Sequence, residues 1–269
     1  MKILATMTIA AASAAILGGH VIYFGTPDPV ETKDYKYEFK DPVAHEDYCK
    51  FGFRVHNVSS DILVYKQGES SILINGKTQS ETNKTLFLQP GKKNFFPQTY
   101  TVKGELPDYH FEQFTFNLEG LYKIKTDGPV VKADNYKLPA AKNEFKAGDF
   151  TITLKDLDKE TKETEAEFEV LYTGADYGLV NSAMVSASVP DKGTTIFAND
   201  YKNSDYEILE RGDKVDIKVV LHIPARYSDM QFANMELIWN DCFRTAKAIK
   251  LEGKKIEFKI DPGLTEGKN

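Results

Sequence analysis

The chain has little of what chemistry usually requires. Its 269 residues hold only two cysteines, Cys49 and Cys242, too few to staple a disulfide scaffold. The five histidines (His20, His45, His56, His110 and His222) include no pair at a metal-ligand spacing such as H-x-x-x-H. No serine sits in G-x-S-x-G, and neither a phosphate loop nor a dinucleotide fingerprint occurs. Acids and bases are interspersed over a net charge of −6, so no basic face advertises nucleic acid. Helical periodicity is missing beyond one turn near Asn240–Thr245. These absences point to a non-enzymatic protein with no cofactor and no metal.

What is present is a repeat. Tyr35, Tyr37 and Phe39 lead into Lys40-Asp41, and Phe150, Ile152 and Leu154 lead into Lys155-Asp156, 115 positions later. Phe51, Phe53 and Val55 match Ala166, Phe168 and Val170 at the same offset. Leu88-Gln89-Pro90-Gly91-Lys92 matches Leu209-Glu210-Arg211-Gly212-Asp213. An offset that drifts only slightly means two copies of one unit with small loop insertions. Within each copy apolar residues alternate with polar ones, as in Glu165–Val170, Val215–Leu221 and Lys255–Ile260, the pattern of strands with one face buried and one wet. Turn signals such as Asn75-Gly76, Pro90-Gly91 and Arg211-Gly212-Asp213 separate them. The expected fold is all-β: two tandem immunoglobulin-like antiparallel β-sandwiches over 32–142 and 143–269, with the boundary near Pro139–Lys146.

Residues 1–31 form the remaining expected segment. Ile3 to Phe24 carries no charge apart from any on His20 and, as a helix at about 1.5 Å per residue, would span roughly 33 Å. Lys2 precedes it and Asp28 and Glu31 follow, which places the body outside the cytoplasm. It reads as an uncleaved signal anchor, a membrane helix over residues 3–24. The competing reading is a signal peptide cleaved at Ala12-Ser13-Ala14. Cys49 and Cys242 stand at non-equivalent places in the repeat, and their pairing is open.

Several short motifs have bland explanations. Asp156, Asp158 and Glu160 have an acidic spacing met in calcium loops but lack the glycine and terminal glutamate, and read as a solvated loop. Arg211-Gly212-Asp213 falls on the turn equivalent to Pro90-Gly91-Lys92, which needs its glycine. Asn57-Val58-Ser59 and Asn83-Lys84-Thr85 fit glycosylation acceptors but read as chance occurrences. Glu165, Glu167 and Glu169 form the wet face of one strand, not a pair across a cleft. Trp239 reads as core. The aromatic stretch around Tyr100, Tyr109 and Phe111, with Tyr227 and Phe232 in the second copy, exceeds what alternating strands can bury and is the candidate partner surface.

Each copy has an early alternating strand, a turn (Asn57-Val58-Ser59-Ser60 or Tyr172-Thr173-Gly174), a polar hairpin region and an L-x-P/R-G-x-K turn before a long strand. In this the chain resembles the secreted bacterial immunoglobulin-like superfamily that contains the mycobacterial immunogenic antigens, over about residues 35–125 and 148–260. The resemblance implies a fold and an extracytoplasmic compartment. It supplies no catalytic residues. The lipid-attachment cysteine common among surface members is absent, which leaves tethering to the N-terminal segment. The expectation is a binding or structural protein, anchored to the membrane, contacting a protein partner in the cell envelope. The alternative is a secreted protein, released by signal peptidase, that binds a small ligand or carbohydrate.

Overall fold

The computed structural model describes residues 21–45, 48–74, 77–79, 84–101, 113–201 and 203–266. The described chain is all-β and its paired strands are antiparallel, with short 3-10 turns and one five-residue helix besides. It divides into two compact units. Unit 2 is Ile124–Ala248, and unit 1 consists of the described residues up to Lys123 together with those from Ile249 onward.

Unit 1 contains β1 (Ile22–Tyr23), β2 (Val30–Glu31), β3 (Tyr35–His45), β4 (Tyr48–Asn57), β5 (Ile62–Lys66), β6 (Ser71–Ile74), β7 (Lys77–Gln79), β8 (Thr85–Leu88), β9 (Lys93–Thr101), β10 (Gln113–Leu118) and β11 (Leu121–Ile124). Unit 2 contains β12 (Val130–Val131), β13 (Tyr136–Leu138), β14 (Glu144–Ala147), β15 (Phe150–Lys159), β16 (Glu163–Tyr172), β17 (Tyr177–Val180), β18 (Ser186–Ser188), β19 (Ile196–Ala198), β20 (Glu207–Leu209), β21 (Lys214–His222), β22 (Met235–Ile238) and β23 (Phe243–Ala246). The chain then returns to unit 1 as β24 (Ala248–Lys250), β25 (Lys254–Lys259) and helix α1 (Pro262–Glu266).

The two units repeat one strand plan. In unit 2 the sheets run β14-β15-β16-β21, β12-β23-β17-β20 and β13-β22-β18-β19. In unit 1 they run β1-β3-β4-β9 with β2 also on β3, then β24-β11-β5-β8 and β25-β10-β6-β7. The repeat extends to single bonds. Gly91 N donates to Asn57 O and Asn57 N to Lys92 O, while Gly212 N donates to Tyr172 O and Tyr172 N to Asp213 O. Gly91 and Gly212 have φ of 72° and 94°, a region that strains any residue with a Cβ, so Arg211-Gly212-Asp213 is a turn feeding β21. Both first hairpins also break register at their Lys-Asp pair: between Lys40 and Val43 in β3, and between Leu154 and Asp156 in β15.

Alternation fills each core. Phe150, Ile152, Ala166, Phe168 and Val170 point inward against Leu237, Phe243 and Trp239 of the other sheets, all buried. Unit 1 buries an aromatic cluster from β3, β4, β10 and β25. Phe258 is its hub, stacked on Phe114 at 4.4 Å between ring centroids and 5.1–5.2 Å from Phe51 and Phe39.

Two expectations need correction. The first concerns the boundaries 32–142 and 143–269. They place Tyr136–Leu138 in copy one, but β13 pairs with β22 (Tyr136 with Leu237, Leu138 with Met235). The equivalent strand of unit 1 comes from the C-terminal end, where β25 pairs with β10 (Ile256 with Phe116, Phe258 with Phe114). The second is the span over residues 3–24. Residues 1–20 lie outside the described set, but Val21, Tyr23 and Phe24 are buried in unit 1. Ile22 and Tyr23 pair with Ala44 and Val43, and Phe24 bridges to Ile260. Their apolar character belongs to a core strand. Asp261 N donates to Tyr23 O, and Tyr23 N to the Thr265 hydroxyl, so α1 fastens the same strand. Among the described residues no helix is long and apolar enough to cross a membrane.

The Asn57 triplet belongs to a turn. The Asn57 side chain is fully buried: Nδ2 donates to Asp61 O and Leu88 O, and Oδ1 accepts from Ser59 N and Ser59 Oγ. It organises the turn and is unavailable as an acceptor in the folded chain. Asn83 lies outside the described residues. Cys49 and Cys242 both remain thiols, one buried in each unit. Burial pushes the Cys242 thiol up to about 12.

Replacing Phe258→Ala is expected to destabilise unit 1 by about 3–5 kcal/mol through the cavity it leaves. Trp239, the only tryptophan, lies in unit 2 and reports its unfolding. Thermal melts are expected to show the far-ultraviolet transition moving down while the tryptophan emission transition stays in place.

Candidate interaction surface

Three connections of unit 2 are tied together: the β15–β16 turn, the segment Ile223–Asn234 before β22, and the 3-10 turn Pro190–Lys192 before β19. Ile223 N donates to Lys162 O and Met230 N to Thr161 O. Lys159 Nζ donates to Ala233 O at 2.6 Å, and burial lowers its pKa. The Tyr227 hydroxyl donates to Lys192 O at 2.9 Å, and its ring meets Phe197 edge-on at 5.1 Å.

Within this frame a tight turn sorts two apolar side chains. Met230 is fully buried. Asp229 Oδ1 accepts from Gln231 N, and Asp229 O accepts from Phe232 N and Ala233 N. The turn therefore aims Phe232 at solvent, where it is 77% exposed, the most exposed of the large apolar side chains described. Ile196, on the edge strand β19, is 54% exposed. Phe232 stands beside the buried Met230, and Ile196 on an edge strand; both present apolar surface to solvent.

Of the five expected partner residues, Phe232 is displayed and Tyr227 is a half-buried strut of the same frame. Tyr100 lies in β9 of unit 1, opposite Cys49 in the backbone register. Tyr109 and Phe111 lie outside the described residues. Ile196 was missed because a lone isoleucine in a short strand has no pattern to distinguish an outward position from an inward one.

The rest of unit 2 offers charge. On the outer face of β16, Glu169 meets Lys214 at 2.9 Å and Lys155 at 3.9 Å, and Glu165 pairs with Lys218. The hydrogen bond from Lys214 holds Glu169 below the usual carboxylate range. Asp156 and Asp158 lie in β15 rather than in a loop, facing Glu167 and Glu165 across the register. Among the described residues no three metal-ligating side chains converge. An open cleft of about 430 Å³ is lined by residues that include Lys132, Asn135, Trp239, Asn240 and Asp241. Trp239 is only 3% exposed, with its ring against Phe145, Phe168 and Phe243.

His222 ends β21 between two carboxylates. Nδ1 lies 2.8 Å from an Asp200 oxygen, and Nε2 contacts Glu163. The Asp200 hydrogen bond, with Glu163 adding to it, raises the imidazole pKa above its usual value. A raised folded pKa favours the folded state at low pH, and the contribution is lost as pH rises through the folded midpoint. Histidine NMR titration is expected to give a His222 midpoint above that of an ordinary imidazole, and one that drops on Asp200→Asn. A midpoint unmoved by that substitution would contradict the pairing.

No family model matches the chain, and no curated protein matches it. Among solved structures, the crystal structure of AerE from Microcystis aeruginosa is 9% identical, covering 86% of this chain and 99% of that chain with a TM-score of 0.11. At that score the likeness carries no argument.

Proposed function

We propose that this chain is a non-enzymatic binding protein of the extracytoplasmic space. Its two immunoglobulin-like β-sandwiches carry a contact surface for a protein partner in a cell-envelope assembly. The observation that carries the reading is Phe232: a 77% exposed aromatic on a turn whose neighbour Met230 is fully buried. Exposed aromatics on rigid loops are the usual centres of protein–protein contacts. The N-terminal stretch supports export. With Val21–Phe24 committed to unit 1, an anchor helix would have to end by His20. Ile3–His20 would reach only about 27 Å, just short of a bilayer core. Cleavage at Ala12-Ser13-Ala14 would leave strand β1 on the mature chain.

The second reading is a secreted protein binding a small ligand or carbohydrate. It has one observation in its favour: Trp239 Nε1 is buried beside the 430 Å³ cleft with no hydrogen-bond partner among the described residues. Against it, the Trp239 ring is packed by three aromatic neighbours and has no face to stack on a sugar.

Phe232→Ala removes no buried contact, so its melting behaviour is expected to match the parent within about 0.5 kcal/mol. Crosslinking in intact envelopes is expected to recover a stoichiometric partner with the parent and at least about tenfold less with the variant, the loss of one buried aromatic. Equal recovery would remove Phe232 from the contact, and recovery of no partner by either would remove the reading. A sugar-dependent change in Trp239 emission would transfer the function to the cleft.

A further inference from the structure

The outer face of the β3–β4–β9 sheet in unit 1 carries a row that its counterpart in unit 2 does not. Lys36 pairs in register with His56, and His56 with Lys93, so two ammonium groups flank one imidazole on three adjacent strands. The row gathers three basic side chains on one outer face. Strands spaced about 4.8 Å apart set the outer lysines roughly 10 Å apart at the backbone. That width takes one tetrahedral oxyanion over His56, with an ammonium reaching it from each side. The row borders a shallow pocket of about 280 Å³ lined by Lys36, Tyr37, Glu38, Arg54, His56 and Lys93.

Of the nearby carboxylates, one is committed elsewhere and one reaches only Lys36. Glu38 is held by Arg54 at 2.6 Å. Glu31 meets Lys36 at 3.4 Å, but both side chains are largely exposed, and such pairs are weak and readily exchanged. His56 and Lys93 form no ion pair among the described residues. By the repeat offsets the same row in unit 2 is Thr151, Leu171 and Lys214. There the neighbouring Glu169 pairs with Lys214. The backbone pairing is shared, and the basic row is found in unit 1 and not at the equivalent place in unit 2.

We propose that Lys36, His56 and Lys93 form a binding site for a phosphate-type oxyanion. Lys36 and Lys93 donate from the two sides, His56 donates from below, and the Arg54–Glu38 pair walls the pocket. The same chemistry is carried by a free phosphate group and by a phospholipid headgroup at a membrane surface.

The test titrates the full chain with inorganic phosphate and follows the His56 ring signals by NMR, with sodium chloride at matched ionic strength as control. A saturable shift of His56 with phosphate and none with chloride is expected. The double substitution Lys36→Ala/Lys93→Ala should weaken it by roughly tenfold or more, the loss of charge-assisted hydrogen bonds. Lys214→Ala, at the equivalent place in unit 2, should leave it unchanged. Both lysines are on the surface, and an unchanged melt of the double variant confirms that the loss is local. Co-sedimentation with phosphatidylglycerol vesicles, against phosphatidylcholine, separates the sources: phosphate response without vesicle binding means a free phosphate group, and both together mean a headgroup. Equal shifts with chloride and phosphate, no shift at all, vesicle binding without a phosphate response, or a phosphate response that survives the double substitution would each overturn the site.

Discussion

Phe258 stacked on Phe114 is the contact on which the arrangement of this chain depends. Each unit takes one strand from outside its own copy of the repeat. In unit 2 that strand is β13, supplied before β15 begins. In unit 1 it is β25, supplied only after all of unit 2 has been traced. A sheet lacking it would leave β10 with an unpaired edge and expose Phe114 and Phe116, which are now almost wholly buried. Unit 1 is thus closed by a contact of long sequence separation, which carries a larger loop-closure entropy than a local hairpin.

The same closure fastens the N-terminal strand. Phe24 bridges to Ile260 and packs edge-on against Phe114 at 4.7 Å. Tyr23 is held by Asp261 and Thr265. The last residues of the apolar run and the last described residues of the chain are therefore one local structure. Any membrane or processing event at the N-terminus has to stop short of Val21 if unit 1 is to remain whole.

Much of this was legible in the residues, and what was not has a physical cause. The period-two alternation named nearly every long strand, since a half-buried strand must show it. The turn glycines aligned the copies correctly because Gly91 and Gly212 occupy a backbone region that excludes other residues cheaply. The strand exchange was invisible. Tyr136-Lys137-Leu138 and Ile256-Glu257-Phe258 carry the same alternation whichever neighbour they pair with, and alternation encodes a face, not a partner. Val21–Phe24 was misread for a related reason: an apolar run tells that water is excluded, not whether lipid or protein excludes it. The Asn57 triplet is a chance match, since a glycosylation triplet and an Asx turn use the same residues. Phe232 was anticipated as surplus to alternation, but its exposure depends on the Asp229 turn, which no periodicity reports.

The two copies show how a repeated fold comes to carry different surfaces. Inward positions are constrained twice, by packing within a sheet and against the facing one, so Phe53 and Phe168 remain fully buried at equivalent sites. Outward positions are constrained only by their cross-strand neighbours. In unit 2 Glu169 meets Lys155 and Lys214 and Glu165 meets Lys218, while Asp158 faces Glu165 across the register. In unit 1 Lys36 lies between Glu31 and His56, and Lys93 lies on the far side of His56. Either pattern costs the core little on a wet face, so the fold tolerates both. Binding surfaces are expected where outward positions are free to vary at low cost to the core. The basic row of unit 1 and the outward Phe232 of unit 2 both meet that description, one through charge and the other through apolar exposure.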